Sequence, residues 1–324
     1  MKTSLTLLWL VSMSLLLSAC GQQQEASAPA TTPEPTATTQ TPVDQPETPP
    51  PPASAASLAS GDLDKVLAGD WRSDADKARD QYRHPKQTLE FFGLKPDMNL
   101  VEITPGGGWY AEILAPFLNA NGHYVAAVAK ASKPDGEAAR NSAALKAKFA
   151  ADAAQYGNAK VVEFDPKEPN LGPAGSADMV LTFRNVHNWA VAGTAPAMFK
   201  AFFDVLKPGG ILGVTDHRAA PGADVEKTEH SGYLPQDYVT SLATDAGFKL
   251  AGQSEINANA KDTRDHEKGV WTLPPTLKLG DKDKAKYLAI GESDRMTLKF
   301  VKPKGDQIFE QGADHSDKPA PDKQ

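Results

Sequence analysis

The chain has 324 residues, of which 40% are hydrophobic and 23% charged, with a net charge of -7 at neutral pH. That is enough apolar material for a sizeable core, while the acidic balance and the lack of any basic block exclude a nucleic-acid partner. The single cysteine, Cys20, excludes an internal disulfide.

Met1 and Lys2 precede an apolar run at residues 5–17, followed by Leu17-Ser18-Ala19-Cys20. The run is short for a membrane span and has the form of a secretory signal over residues 1–19. The cysteine after small residues resembles the lipobox of bacterial lipoproteins, in which it is lipidated and becomes the new N-terminus. Gly21 in the next position then implies the periplasmic face of the outer membrane, with the lipid as the membrane contact. Residues 20–60 are rich in Ala, Thr and Pro, with prolines at 49–52, and show no apolar periodicity. Such a composition cannot bury enough surface to fold and predicts an extended tether. A second disordered tail is expected at residues 304–324, which leaves residues 61–303 as the folded domain.

That domain opens with a charged helical stretch at residues 74–82, then Arg83-His84-Pro85. An amphipathic helix follows through Leu89, Phe91 and Phe92, ended by Gly93 and Pro96. Leu100, Val101 and Ile103 form an apolar run that stops at Pro105-Gly106-Gly107-Gly108. Apolar residues resume as Trp109, Tyr110, Ile113 and Leu114, so the period changes from about two to about 3.6. This is the pattern of a buried strand feeding a helix through a glycine turn. Residues without a Cβ let the backbone take positive φ and lie against a ligand, with the N–H groups of the new helix directed at it. Glu102, near the strand's end, can order the loop or meet a polar ligand group. Gly106-x-Gly108-x-x-Ala111 also fits the loose dinucleotide fingerprint, and a tight turn without a ligand is the alternative.

Further strands are predicted at residues 124–128, 160–164, 178–183, 211–215 and 248–253, with helices at 137–154, 196–206 and 235–246. Residues 295–301 alternate like a final strand. Strands alternating with helices predict a parallel sheet covered on both faces, with ligands beyond the carboxyl ends of the strands.

Glu102-Ile103-Thr104-Pro105-Gly106-Gly107-Gly108 resembles motif I of class I S-adenosylmethionine-dependent methyltransferases. Residues 178–183, then Leu206-Lys207-Pro208-Gly209-Gly210, resemble their fourth strand and the turn before their fifth; Ala246-Gly247-Phe248 resembles the turn before a late strand. The wording RHP, GGGWYAEILAP, FRNVHNW and DHRA is similar to a group of predicted bacterial methyltransferases over roughly residues 74–303. The resemblance implies a Rossmann-like α/β fold: a mostly parallel, doubly wound sheet with an antiparallel last strand at its edge. It also implies S-adenosylmethionine as cofactor and a small-molecule methyl acceptor. Glu102, Thr104, Gly106, Gly107, Gly108, Asp165 and Arg184 are then the cofactor contacts. The pattern departs in two places. Thr104 stands where the family has its first glycine. Ala127, Val128, Ala129 and Lys130 stand where an acid about 20 residues after the glycine turn would hold the ribose.

Arg184-Asn185-Val186-His187-Asn188-Trp189 follows the fourth strand, and such polar groups are costly to bury without partners. His187-Asn188-Trp189 resembles the HDW stretch of small-molecule O-methyltransferases, which implies His187 as general base, with Asn185 beside it. Asp216, His217 and Arg218 end the fifth strand and, with Tyr82, His84 and Trp189, are the expected substrate contacts. The dispersed His and Asp lack tight ligand spacing, so no metal is expected. The alternative reading is a non-catalytic lipoprotein of the same fold that binds a metabolite or a cell-envelope partner.

Overall fold

The computed structural model describes residues 61–305. The signal, Cys20, the tether to residue 60 and the tail beyond residue 305 lie outside them.

Four short helices precede the sheet: α1 (Leu63–Ala68), α2 (Asp74–Lys77), α3 (Asp80–Arg83) and α4 (Pro85–Phe92). The charged stretch expected as one helix is thus two single turns. Ser73 caps the first of these by accepting from the Asp76 N–H at 3.1 Å. Pro85 starts α4, and Gly93 ends it in a left-handed conformation at φ 84°.

Seven strands follow: β1 (Asn99–Ile103), β2 (His123–Ala129), β3 (Ala159–Phe164), β4 (Ala177–Phe183), β5 (Leu206–His217), β6 (Lys249–Ser254) and β7 (Arg295–Val301). They form one sheet in the order β3-β2-β1-β4-β5-β7-β6, in which only β7 runs against its neighbours. This is the Rossmann-like, mostly parallel arrangement anticipated from the sequence. The last strand is antiparallel as expected, but it lies between β5 and β6 and not at the edge. The burial pattern explains the placement: five of the seven β7 residues are buried, whereas β6 buries none of its six. The apolar strand takes the interior and the polar one the rim.

Helices cover both faces. Leu89 and Phe92 of α4 join Ile113, Leu114 and Leu118 on one side, all fully buried. Met198, Phe199, Phe202 and Val239 form the other core against β4, β5 and β7. Truncating one of these side chains to alanine costs on the order of 2–5 kcal/mol. The helix after the glycine turn (Ala111–Leu118) is buried at every position, which explains why its sequence is apolar nearly all round. Residues 255–294 have no strand; they carry a turn of 3-10 helix at Gly269–Thr272 and a helix at Lys284–Ile290. Among the described residues no helix is long and apolar enough to cross a membrane.

Candidate functional site

Two cavities open where the parallel strands end. The larger, about 640 Å3, is lined by Thr104, Ala129, Pro166, Arg184 and His217 from the strand ends, and by Trp271, Pro274 and Ser293 from the segment before β7. The smaller, about 250 Å3, lies against Gly106 and Gly107 and against Arg79 and Arg83. Thr104 and Arg184 line both. The glycine turn and the polar run after β4 are therefore brought to one place.

The glycines differ in what they do. A Cβ on Gly106 or Gly107 would meet nothing within 4 Å, so both present bare backbone to open space. Gly106 also sits at φ 59°, a conformation that favours glycine. Gly108, at φ 87°, serves packing: its Cβ would come within 2.9 Å of Leu145 on the helix Glu137–Ala151. Thr104 holds φ 52°, so the backbone keeps the glycine-like conformation although the residue is β-branched. Its Oγ1 is buried without a hydrogen-bond partner.

His187 is 4% exposed and its Nδ1 lies 2.9 Å from Asp216 Oδ1. Asp216 is fully buried and also accepts from the backbone N–H of Val186 and of His217, each at 2.7 Å. A carboxylate with three N–H donors fixes the imidazole with its proton on Nδ1 and the Nε2 lone pair available. His187 lines the larger cavity; Asp216 does not, and acts through His187. His217 pairs with Ser293 through Nδ1. Burial first, then His187, Arg184, Arg295 and Arg83, push it well below the ordinary imidazole range and keep it neutral. The atoms offered by His187, Asp216 and His217 lie within 4.8 Å of one another, the only such trio among the described residues.

Asn185 spends its amide N–H groups on Ile103 O at 3.0 Å, Thr182 Oγ1 at 3.2 Å and Thr104 O at 3.3 Å, tying the end of β4 to that of β1. It lines the smaller cavity as a structural tie. Trp189 is a wall of the larger cavity and part of the core.

Around Glu292 stand Arg79, Arg83, Arg184 and Arg295. Arg79 and Arg83 donate through Nε at 3.0 and 3.1 Å, and Arg295 through Nη1 at 2.9 Å. Burial alone would raise the Glu292 carboxyl, but Arg295, Arg83, Arg184 and Arg79 outweigh it and hold it at about 2. Burial, then Arg184, lowers Arg83 to about 9 against the pull of Glu292. Arg83 also stacks on Trp109 at 4.6 Å, with Arg72 at 5.3 Å from the same ring.

Other expected residues lie elsewhere. Glu102 is buried on β1, accepts from the Tyr124 hydroxyl at 2.6 Å and lines neither cavity. Burial raises its carboxyl to about 8. A side chain one residue earlier or later on a strand faces the opposite side, and Glu102 falls on the face where Tyr124 packs in the core rather than at the strand-end cavities. The Asp165 side chain caps its own turn, accepting from the Lys167 N–H at 2.9 Å, while Pro166 takes the cavity position. Tyr82 and His84 line a separate recess of about 190 Å3. Arg218 is committed to Asp294 and Glu255 and faces another cavity.

The sequence reading missed Glu292, Ser293, Trp271 and Glu137 as cavity residues. Gly291-Glu292-Ser293-Asp294-Arg295 was a visible signal, a polar run directly before an apolar strand. Glu137 lines the larger cavity with Ala129 and Pro166, which puts an acid on the wall where the β2 end lacks one.

No protein-family model and no curated protein matches the chain. Solved structures with which it aligns include an S-adenosylmethionine-dependent methyltransferase from Aquifex aeolicus, at 15% identity and TM-score 0.46, over 74% of this chain and 98% of that one. The cyclase SpnF aligns at 18% identity and TM-score 0.48, over 73% and 84%. The glycopeptide N-methyltransferase MtfA, complexed with S-adenosyl-L-homocysteine, aligns at 15% identity and TM-score 0.43, over 68% and 90%.

Proposed function

We propose that the chain is an S-adenosylmethionine-dependent methyltransferase acting on a small-molecule acceptor. The observation that carries this reading is the bare backbone of Gly106 and Gly107 in one cavity and His187, backed by Asp216, in the next, the two cavities sharing Thr104 and Arg184. Gly106, Gly107 and Thr104 would hold the cofactor's sulfonium end, with Ala129, Pro166 and Glu137 along its nucleoside. Bound there, S-adenosylmethionine supplies an electrophilic methyl group. His187 Nε2 accepts the proton of the acceptor as its lone pair attacks, and Asp216 stabilises the imidazolium that results. A positioned base of this kind contributes about 10²–10⁴-fold, and in-line alignment the greater part.

Calorimetric titration of the full-length protein with S-adenosyl-L-homocysteine tests the reading. Saturable one-to-one binding that is lost in Gly107→Ala is expected; a folded protein that gives no heat ends it.

A second reading, a non-catalytic metabolite-binding protein, is favoured by Ala127 and Ala129 at the end of β2 and is separated by turnover. The lipobox reading of Cys20 places either function on a membrane outside the cytoplasm, at the periplasmic face of the outer membrane. Release of Cys20→Ser from the membrane fraction is the expected result; retention of that variant refutes lipid anchoring.

A further inference from the structure

Guanidinium groups gather where the two cavities meet, and not all of them have a partner. Arg79, Arg83 and Arg295 share the single carboxylate of Glu292. The Arg184 side chain makes no hydrogen bond or salt bridge among the described residues, although it lines both cavities. Arg83, 3% exposed and on the wall of the smaller cavity, leaves its Nη2 without a partner. Of the nearby acids, Glu112 pairs with Lys148 and Asp80 with Arg72, while Asp216, Asp76 and Glu137 keep their charge but make no hydrogen bond to Arg184. S-adenosylmethionine carries a sulfonium, an ammonium and one carboxylate, and so arrives as a net cation. A net cation is not the partner that the free guanidinium of Arg184 calls for.

We propose that the methyl acceptor is an organic oxyanion, a carboxylate or phosphate ester, whose charged group docks on Arg184 where the two cavities meet. This rests on the methyltransferase reading and names the substrate class for it. Arg184 is suited to the task because its planar fork matches both oxyanions and, with Glu292 hydrogen-bonded by Arg79, Arg83 and Arg295, no protein group hydrogen-bonds its side chain. Its left-handed backbone, φ 62°, lifts the residue out of the strand direction at the end of β4. An acid held there leaves the rest of the molecule in the larger cavity with His187, three residues further on and on the same wall. The same guanidiniums disfavour a cation at the His187–Asp216–His217 trio. The family resemblance implies Arg184 as a cofactor contact; its unpartnered guanidinium on the wall shared by both cavities fits the acceptor instead.

The test titrates full-length wild type, Arg184→Gln and Arg184→Lys with succinate, with inorganic phosphate and with S-adenosyl-L-homocysteine, each alone. At least one anion binds wild type, weakens tenfold or more in Arg184→Gln and recovers in part in Arg184→Lys, while the nucleoside changes less than twofold. Phosphate without succinate, or the reverse, identifies the ester or the carboxylate. Absence of both anions from wild type, or anion binding unchanged in Arg184→Gln, overturns the proposal. So does a tenfold loss confined to the nucleoside, which returns Arg184 to the cofactor and leaves the methyltransferase reading intact. Arg184-dependent anion binding with no nucleoside binding keeps the anion site and removes the methyltransferase reading. Should Arg184→Gln melt below the assay temperature, a threefold loss of anion affinity in Arg184→Lys carries the result.

Discussion

Thr104 and Arg184 adopt the same left-handed backbone, φ 52° and 62°, one residue beyond the ends of the neighbouring strands β1 and β4. Each still completes the ladder to the next strand, Thr104 N–H to Ala127 O and Arg184 N–H to Thr215 O, both at 2.7 Å. Strain of this kind persists where the surroundings over-determine it, and it collects at functional sites. Thr104→Gly removes a left-handed penalty of about 1–2 kcal/mol and an unpaired buried hydroxyl, offset by about 0.5–1 kcal/mol of glycine entropy. We expect the variant to melt at or above the wild-type temperature. A clear drop in melting temperature would show that the threonine side chain stabilises the fold.

The glycine turn can be dissected by two alanines. Gly107→Ala meets open space and takes no positive φ, so folding stability should change by less than about 1 kcal/mol while S-adenosyl-L-homocysteine affinity falls at least tenfold. Gly108→Ala combines φ 87° with a 2.9 Å approach to Leu145, and should lower stability instead. Equal melting of the two variants would contradict the division of roles.

Glu292 anchors the arginine cluster. Glu292→Gln leaves buried guanidiniums without their counter-charge and should cost about 3–5 kcal/mol at neutral pH in denaturant unfolding. The carboxyl lies at about 2 in the fold against an ordinary 4.5, so its stabilisation is complete above about pH 4.5 and is lost as pH falls toward 2. Wild type and variant should therefore converge in stability through that acid range; parallel curves refute the assignment.

Glu102 carries the opposite sign. With its carboxyl raised to about 8, the folded state holds a proton that the unfolded chain releases near 4.5, so the group costs stability increasingly as pH rises between those values. Glu102→Gln, a neutral isostere, should gain on wild type by up to ~1.4 kcal/mol per pH unit across that window. A gap independent of pH would mean that Glu102 is ionised in the fold.

Asp216 sets the tautomer of His187. Asp216→Asn can donate where the carboxylate only accepts, so the imidazole proton should move from Nδ1 to Nε2, visible in the nitrogen-15 shifts of the ring. Catalysis should fall by orders of magnitude with nucleoside binding retained. An unchanged tautomer would leave Asp216 a purely structural role.

Much of this architecture was written in local periodicity. The predicted strand at residues 178–183 is Ala177–Phe183, and the switch of period at the glycine turn marks β1 and the helix Ala111–Leu118. Thr104 in a glycine position was visible as an anomaly, and the strand end it marks is a cavity wall. What could not be read was pairing at long range. Glu292 meets Arg83 across 209 residues, and Glu102 turns to Tyr124 on the neighbouring strand, contacts that no spacing rule encodes. Residues 255–294 lack either period, so their contribution to the cavity was silent until the chain was folded back over the strand ends.

The burial of β7 between β5 and β6 has a bearing on how the sheet is completed. The segment that completes the interior of the sheet, residues 295–301, follows β6 in the chain, and until it docks β6 has no ladder neighbour among the described strands. Before that docking the β5 edge is unpaired on this side, and the long-range pairing that closes it belongs to the slow steps of folding. A truncation ending before Arg295 should therefore expose two strand edges and accumulate as aggregate or be degraded.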